Sequence, residues 1–164
     1  MTKVTLDTGV LPAEDLVHAS QRFNCEFVVV TVTTRELKGT PREVPLVPYS
    51  AIPETAVWSE SRWDHATWGS EVSVTTLEEI LKVISSGAFP NSRDNLSKGQ
   101  LHQLRDAMIL EAHVSQQRDI LVTNDSRAFI RHGKREELTT RFGVRIMLRA
   151  DFLQECSAGT LAAV

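Results

Sequence analysis

Cysteine is scarce in this chain of 164 residues: only Cys25 and Cys156 occur, far apart, with no CxxC pair and no Cys/His ligand spacing. That argues against both a disulfide framework and a structural zinc site. Long apolar runs are missing too. The longest, such as Phe27 to Val30 and Ala107 to Leu110, fall far short of the roughly 20 residues a membrane-spanning helix needs. The chain reaches Asp7 before any signal-like apolar stretch develops, so the expectation is a reducing, cytoplasmic home without a membrane partner. Neither cysteine has a histidine near it in sequence, and GxSxG is absent, which removes the usual marks of a Ser or Cys nucleophile. The Walker pattern and GxGxxG are absent as well, which speaks against a nucleotide-cofactor enzyme.

What remains is a composition of 41% hydrophobic and 24% charged residues, which suits one globular domain of ordinary size. The net charge of −3 conceals an asymmetry along the chain. Residues 1–92 hold seven Lys/Arg against twelve Asp/Glu, whereas residues 93–149 hold eleven against seven. A basic segment on an acidic body suits a phosphate-binding face or a solvated helical surface.

Lys3 to Asp7 reads as a short strand ending in Asp7-Thr8-Gly9, and residues 12–23 as an amphipathic helix with Leu16, Val17 and Phe23 toward the core. Glu26 to Thr33 is dense in valine without polar alternation, as a strand covered on both faces should be, and Glu36 and Leu37 open a short helix before Gly39. Residues 40–70 differ: they carry Pro41, Pro45, Pro48 and Pro53, four of the six prolines, and all three tryptophans, Trp58, Trp63 and Trp68. We read an extended, proline-stiffened insertion followed by an aromatic segment whose tryptophans either stack on bases or a partner or, the favoured reading, pack the insertion onto the body. Thr76 and Glu79 have capping-box spacing for the next helix, a longer helix covers about Lys98 to Gln117, Ile120 to Thr123 is a buried strand, and Val144 to Leu148 another, followed by a helix from Asp151. Strands alternating with helices predict a three-layer α/β/α sandwich with a mostly parallel central sheet.

In such sheets the ligand crevice lies at the carboxyl ends of the strands. Asp7 closes the first strand, Asp125 follows Ile120–Thr123 by two residues, and Glu36 lies just past the second strand. The helix carrying Asp106 runs into a strand, so it travels antiparallel to the sheet and its early part lies near the same end. Asp119, directly before the strand, falls at the opposite edge. Four carboxylates gathered without compensation repel one another and take up protons. A hard divalent cation, Mg²⁺ or Mn²⁺, reverses that penalty with all-oxygen ligands and suits phosphate-ester hydrolysis.

Leu6-Asp-Thr-Gly-Val-Leu11, Val32-Thr-Thr-Arg-Glu-Leu-Lys-Gly39, Arg105-Asp-Ala-Met-Ile-Leu110 and Leu121-Val-Thr-Asn-Asp-Ser-Arg-Ala-Phe129 resemble, in order, the four motif blocks of PIN domains. The resemblance covers nearly the whole chain outside 40–70. It implies a metal-dependent ribonuclease whose acidic residues are Asp7, Glu36, Asp106 and Asp125, with Thr8, Thr123 and Asn124 in support. Many PIN proteins are VapC-like toxins of type II toxin–antitoxin pairs, and the family often forms homodimers, so an antitoxin and a second copy are the implied protein partners. Three features depart from the compact toxin pattern: the insertion, Ala128 where many such toxins carry a further Asp, and Glu111 in place of a small helix residue. Glu111 sits roughly 140° around the helix from Asp106, at about 100° per residue, and on the core side would need a partner such as an arginine.

Arg127, Arg131, Lys134 and Arg135 follow the last carboxylate closely and suit either an RNA backbone or a solvated helix end. His102 and His113 share a helix face with Asp106 and are read as surface or packing residues. The leading expectation is therefore a Mg²⁺/Mn²⁺-dependent endoribonuclease. Its rivals are an inactive RNA- or protein-binding module using the aromatic insertion, and a phosphoryl-accepting domain. The latter wants a lysine where the last strand offers Arg145 and Arg149.

Overall fold

A computed structural model describes residues 1–43, 46–58, 60–62 and 66–161. Pro45 and Trp63 lie outside the described residues. The elements run β1 (Thr2–Leu6), α1 (Glu14–Ala19), β2 (Cys25–Val30), α2 (Thr31–Leu37), β3 (Ser50–Ile52), β4 (Glu54–Thr55), β5 (Ala66–Thr67), α3 (Glu71–Ile84), α4 (Lys98–Ser115), β6 (Ile120–Thr123), α5 (Ser126–Phe129), α6 (Lys134–Phe142), β7 (Arg145–Leu148) and α7 (Arg149–Ala158). Short 3-10 turns cover Thr8–Val10, Gln21–Phe23 and Arg131–Gly133.

Five strands form one parallel sheet in the order β3-β2-β1-β6-β7. Its two faces are apolar, as a parallel sheet covered by helices requires. Val4, Leu6, Val29, Ile120, Val122 and Met147 pack with Leu16 of α1 and Phe152 of α7. On the opposite face Val30, Leu121 and Ile146 pack with α3, α4 and Leu138 of α6. The alternation of Ile120 and Val122 with Leu121 is the period-2 consequence of strand geometry. The result is the expected three-layer α/β/α sandwich. No helix among the described residues is long and apolar enough to cross a membrane.

Several boundaries differ from the sequence reading. β2 stops at Val30, and Thr31-Val32-Thr33, read as strand, open α2; all three are buried there, so packing overrides their β-branched preference. Glu36 consequently lies in the last turn of α2 rather than at its start. Helix α1 is shorter than 12–23, and Val17 is 37% exposed while Leu16 is buried. α3 begins five residues before Thr76, because Ser70 accepts from the Ser73 amide as its cap. α4 is closed by a full capping box of Ser97 and Gln100.

The 40–70 stretch is more than an insertion, since Ser50–Ile52 supply the edge strand beside β2. Its remainder is tied down by charge rather than by tryptophan packing: Trp58 is 84% and Trp68 76% exposed. Glu54, fully buried, accepts from Thr31 Oγ1 at 2.9 Å and Arg35 Nη1 at 2.7 Å. Arg35 also reaches Glu60 at 3.3 Å, and Glu60 accepts from Arg105 Nε at 2.8 Å. Gly69 is required here, because a Cβ would stand 2.6 Å from the Thr55 methyl.

Candidate functional site

The strand order reverses between β1 and β6. β1 continues outward through β2 and β3, and β6 outward through β7. At such a seam the two following segments leave to opposite sides and open a crevice at the carboxyl ends. Asp7 and Asp125 stand on its two lips. The seam is stitched by polar contacts: the Asp7 amide donates to Val122 O at 3.0 Å, Thr123 Oγ1 donates to Asp7 Oδ2 at 2.7 Å, and the Asp125 amide donates to Thr123 Oγ1 at 2.8 Å. Asn124 Nδ2 donates to Gly9 O at 3.0 Å across the same seam. Thr123 and Asn124 thus hold the loops that carry the acids. Thr8 Oγ1 donates to Glu36 Oε2 at 2.6 Å and lies 3.0 Å from the Thr33 hydroxyl, joining α2 to the end of β1.

The four acids share one electrostatic field. Burial pushes the Asp7 carboxyl up to about 6; the Thr123 hydroxyl opposes this, while the charges of Glu36 and Asp125 add to it. Burial also pushes Asp106 up to about 9, and Asp7, Asp125 and Glu36 each raise it further. Asp106 has no hydrogen-bond or ion-pair partner among the described residues. Glu36 has one cation near it, Arg105 Nη1 at 3.5 Å, but that guanidinium is drawn mainly to Glu60. Asp125 Oδ1 is occupied as the α5 cap, accepting from the Arg127 and Ala128 amides at 2.8 Å.

No group of three or more acidic, histidine or cysteine side chains among the described residues is placed so that it could hold a metal ion. The donor chemistry nonetheless fits a hard cation. All four groups are carboxylates, and buried Asp7 and half-buried Asp106 have no ion-pair partner among the described residues. Mg²⁺ typically keeps several waters and takes only one or two carboxylates directly, so an open set suits it better than a closed cage would.

A groove of about 450 Å³ adjoins the acids. Asp106 and Asp125 lie in it together, facing Arg127, Arg131 and Lys134. Lys134 Nζ is already held by Ile84 O at 2.6 Å and Arg127 O at 3.0 Å, so it braces the wall. Arg135 is elsewhere: it lines a separate cavity between α6 and α7, 3.9 Å from Asp151 and 3.7 Å from Glu136. A single step along α6, about 100° of rotation, separates the two directions. Arg145 is bound to Glu155 and Arg149 to Asp15, which withdraws both from any role beside Asp7.

Asp119 sits at the opposite edge, its Oδ2 accepting from the Lys3 amide at 2.6 Å. His113 is buried against Thr5 Oγ1 at 2.9 Å, a packing histidine; His102 lines the groove. Glu111 is buried with Ser115, not an arginine, on Oε1, and its Oε2 has no partner among the described residues. The network Glu54, Arg35, Glu60 and Arg105 escaped the sequence reading. The single available signal was Arg105 directly before Asp106, since the two glutamates lie in a stretch without periodicity. No family model matches the chain, and a search of the curated proteins finds no match either.

Proposed function

We propose that the protein is a Mg²⁺/Mn²⁺-dependent endoribonuclease of PIN type, with Asp7, Glu36, Asp106 and Asp125 holding the cation directly or through water. One observation carries the reading: buried Asp7 and half-buried Asp106 are both pushed toward protonation at the carboxyl edge of a parallel sheet, Asp7 by burial with the charges of Glu36 and Asp125 and Asp106 by burial with the charges of Asp7, Asp125 and Glu36, and Asp106 lines a groove together with Arg127 and Arg131. Such an arrangement costs stability unless a positive charge joins it. When bound, the divalent cation supplies Lewis acidity, activating water and offsetting charge that grows on a phosphodiester.

The chain's own residues do the rest. Thr123 and Thr8 keep Asp7 and Glu36 oriented through single hydrogen bonds. Arg127 and Arg131 supply the positive wall along which a phosphate backbone is held. In the hydrolysis, water forms the new bond to phosphorus and the bond to the 3′ oxygen breaks. By the PIN resemblance, the products carry 5′-phosphate and 3′-hydroxyl ends.

Cleavage of labelled RNA, followed by gel with Mg²⁺, with Mn²⁺ and with EDTA, tests the reading. Loss in EDTA, and in Asp7→Asn and Asp125→Asn proteins that retain the wild-type circular dichroism, is expected. Undiminished cleavage in EDTA or in either variant overturns it. Tight RNA binding without any metal-dependent hydrolysis is the mark of the inactive binding module. The narrower proposals, a toxin of a type II pair and a homodimer, rest on the PIN resemblance alone. Sedimentation of the purified chain with and without a co-expressed antitoxin tests both.

A further inference from the structure

Beyond the carboxylates, the least expected feature of the surface is a pair of largely exposed tryptophans. Trp58 and Trp68 are 84% and 76% exposed, and both line one cavity of about 530 Å³, with Val57, Ser61 and Arg62 among its other walls. Large aromatic rings exposed together on a shared concavity, rather than scattered, mark a binding surface. We propose that this cavity stacks an unpaired base of single-stranded RNA, and that the strand passes from it over Arg62 and Lys38 toward the carboxylates. The proposal rests on the ribonuclease reading and names the substrate class of that same site.

Three observations support RNA as the occupant. First, every base has a π-face, so two indole rings accept bases without sequence preference. Second, cations lie beside the rings. Exposed Arg62 belongs both to the tryptophan cavity and to a neighbouring one of about 220 Å³ whose other walls include Lys38, one acid, Glu43, and Arg35, itself paired with Glu54 and Glu60. That second cavity lies on α2, the helix that carries Glu36. Third, the cavity is fixed relative to the acids. Glu60, between Trp58 and Arg62 in sequence, is paired with Arg35 at 3.3 Å and with Arg105 at 2.8 Å, and Arg105 reaches Glu36 at 3.5 Å. Stacking sites and cationic track are therefore attached to the helix bearing a candidate ligand. Duplex RNA keeps its bases stacked inside the helix and cannot use such a site.

The test is binding of a short, end-labelled single-stranded RNA, read by fluorescence anisotropy in EDTA so that no hydrolysis takes part. Trp58→Ala with Trp68→Ala weakens binding by about tenfold or more, the scale of base–aromatic stacking. Trp58→Phe with Trp68→Phe restores most of it, and an unlabelled duplex of the same sequence competes poorly. The melting curve of each variant is recorded alongside, so that a loss of fold is told apart from a loss of binding. Equal affinity of the alanine pair and the wild type overturns the proposal and returns the face to a protein partner. Equal competition by duplex overturns it as well. Failure of this binding test leaves metal-dependent cleavage untouched, and an inert protein that still needs both tryptophans for RNA leaves the stacking site standing.

Discussion

Two regions of this molecule bury ionisable side chains, and they do it in opposite ways. In the network beneath the 40–70 stretch the signs alternate: Glu54, Arg35, Glu60, Arg105 and Glu36 form a chain in which each guanidinium lies between two carboxylates. At the carboxyl edge of the sheet the signs repeat, and buried Asp7 and half-buried Asp106 lie among further acids. The first region is complete in itself and acts as a fastening. In the second, Asp7 and Asp106 have no cationic partner among the described residues. Burial alone does not distinguish structure from function here; the sign of the nearest neighbour does.

Predictions follow from pushing the two regions apart. The largest effect is on catalysis. Asp7→Asn or Asp106→Asn lowers the cleavage rate about a hundredfold to a thousandfold, the scale of removing one preorganised charge-stabilising group, while the amide keeps the shape of the site. Initial rates at saturating Mg²⁺ measure it, and a rate within a factor of a few of wild type contradicts the comparison.

Next comes the fastening. Glu54→Ala leaves Arg35 with one fewer counter-charge in a buried setting and costs about 3 kcal/mol, as breaking a buried pair does. Urea unfolding reads this directly. A cost no larger than that of an exposed pair would show that the network is ornamental.

The third prediction separates the regions by pH. Asp106 and Asp7 have folded pKa values of about 9 and about 6, above the ordinary 3.8, so the folded state holds protons that the unfolded state releases. Their contribution is fully present below about pH 4 and is lost as pH rises, through about 6 for Asp7 and about 9 for Asp106. His113, buried by the other end of the sheet, behaves inversely: burial lowers it from 6.5 to about 3, so its contribution is present above 6.5 and lost as pH falls toward 3. Without divalent cation, Asp106→Asn removes the alkaline part of the decline and melts at or above wild type at pH 8. Mg²⁺ raises the wild-type melting temperature more at pH 8 than at pH 5. A variant that melts well below wild type at pH 8 refutes the assigned burden.

The smallest effect belongs to packing. Gly69→Ala forces a Cβ to within 2.6 Å of the Thr55 methyl and costs about 1 to 3 kcal/mol by overpacking, without removing a charge. Its signature is a lower unfolding midpoint with the Mg²⁺ response intact.

Much of this was readable residue by residue. β6 occupies Ile120–Thr123 as expected, since a compact apolar run before Asn124-Asp125 has few other ways to be buried. Helix direction alone led to the expectation of Asp106 near Asp7, Glu36 and Asp125, and the charges of those three acids raise the Asp106 carboxyl. Thr31-Val32-Thr33 misled because β-branched residues favour strands, and their helical state is set by what covers them. Trp58 and Trp68 misled in the other direction: aromatic content suggested packing, and the rings lie outside. Arg135 shows the same limit, since one residue of helix, about 100° of rotation, carries it to a different cavity from Lys134.

The order of residues along the chain was sufficient for alternating strands and helices, a parallel sheet and acids at the strand ends. These depend on local periodicity and on which side of a strand a residue follows. The tertiary structure alone decided that the strand order reverses at the β1–β6 seam, that arginines fasten the 40–70 stretch, and that two tryptophans share a cavity beside α2. Each of these joins residues distant in sequence, through charge pairing and burial that no local window contains.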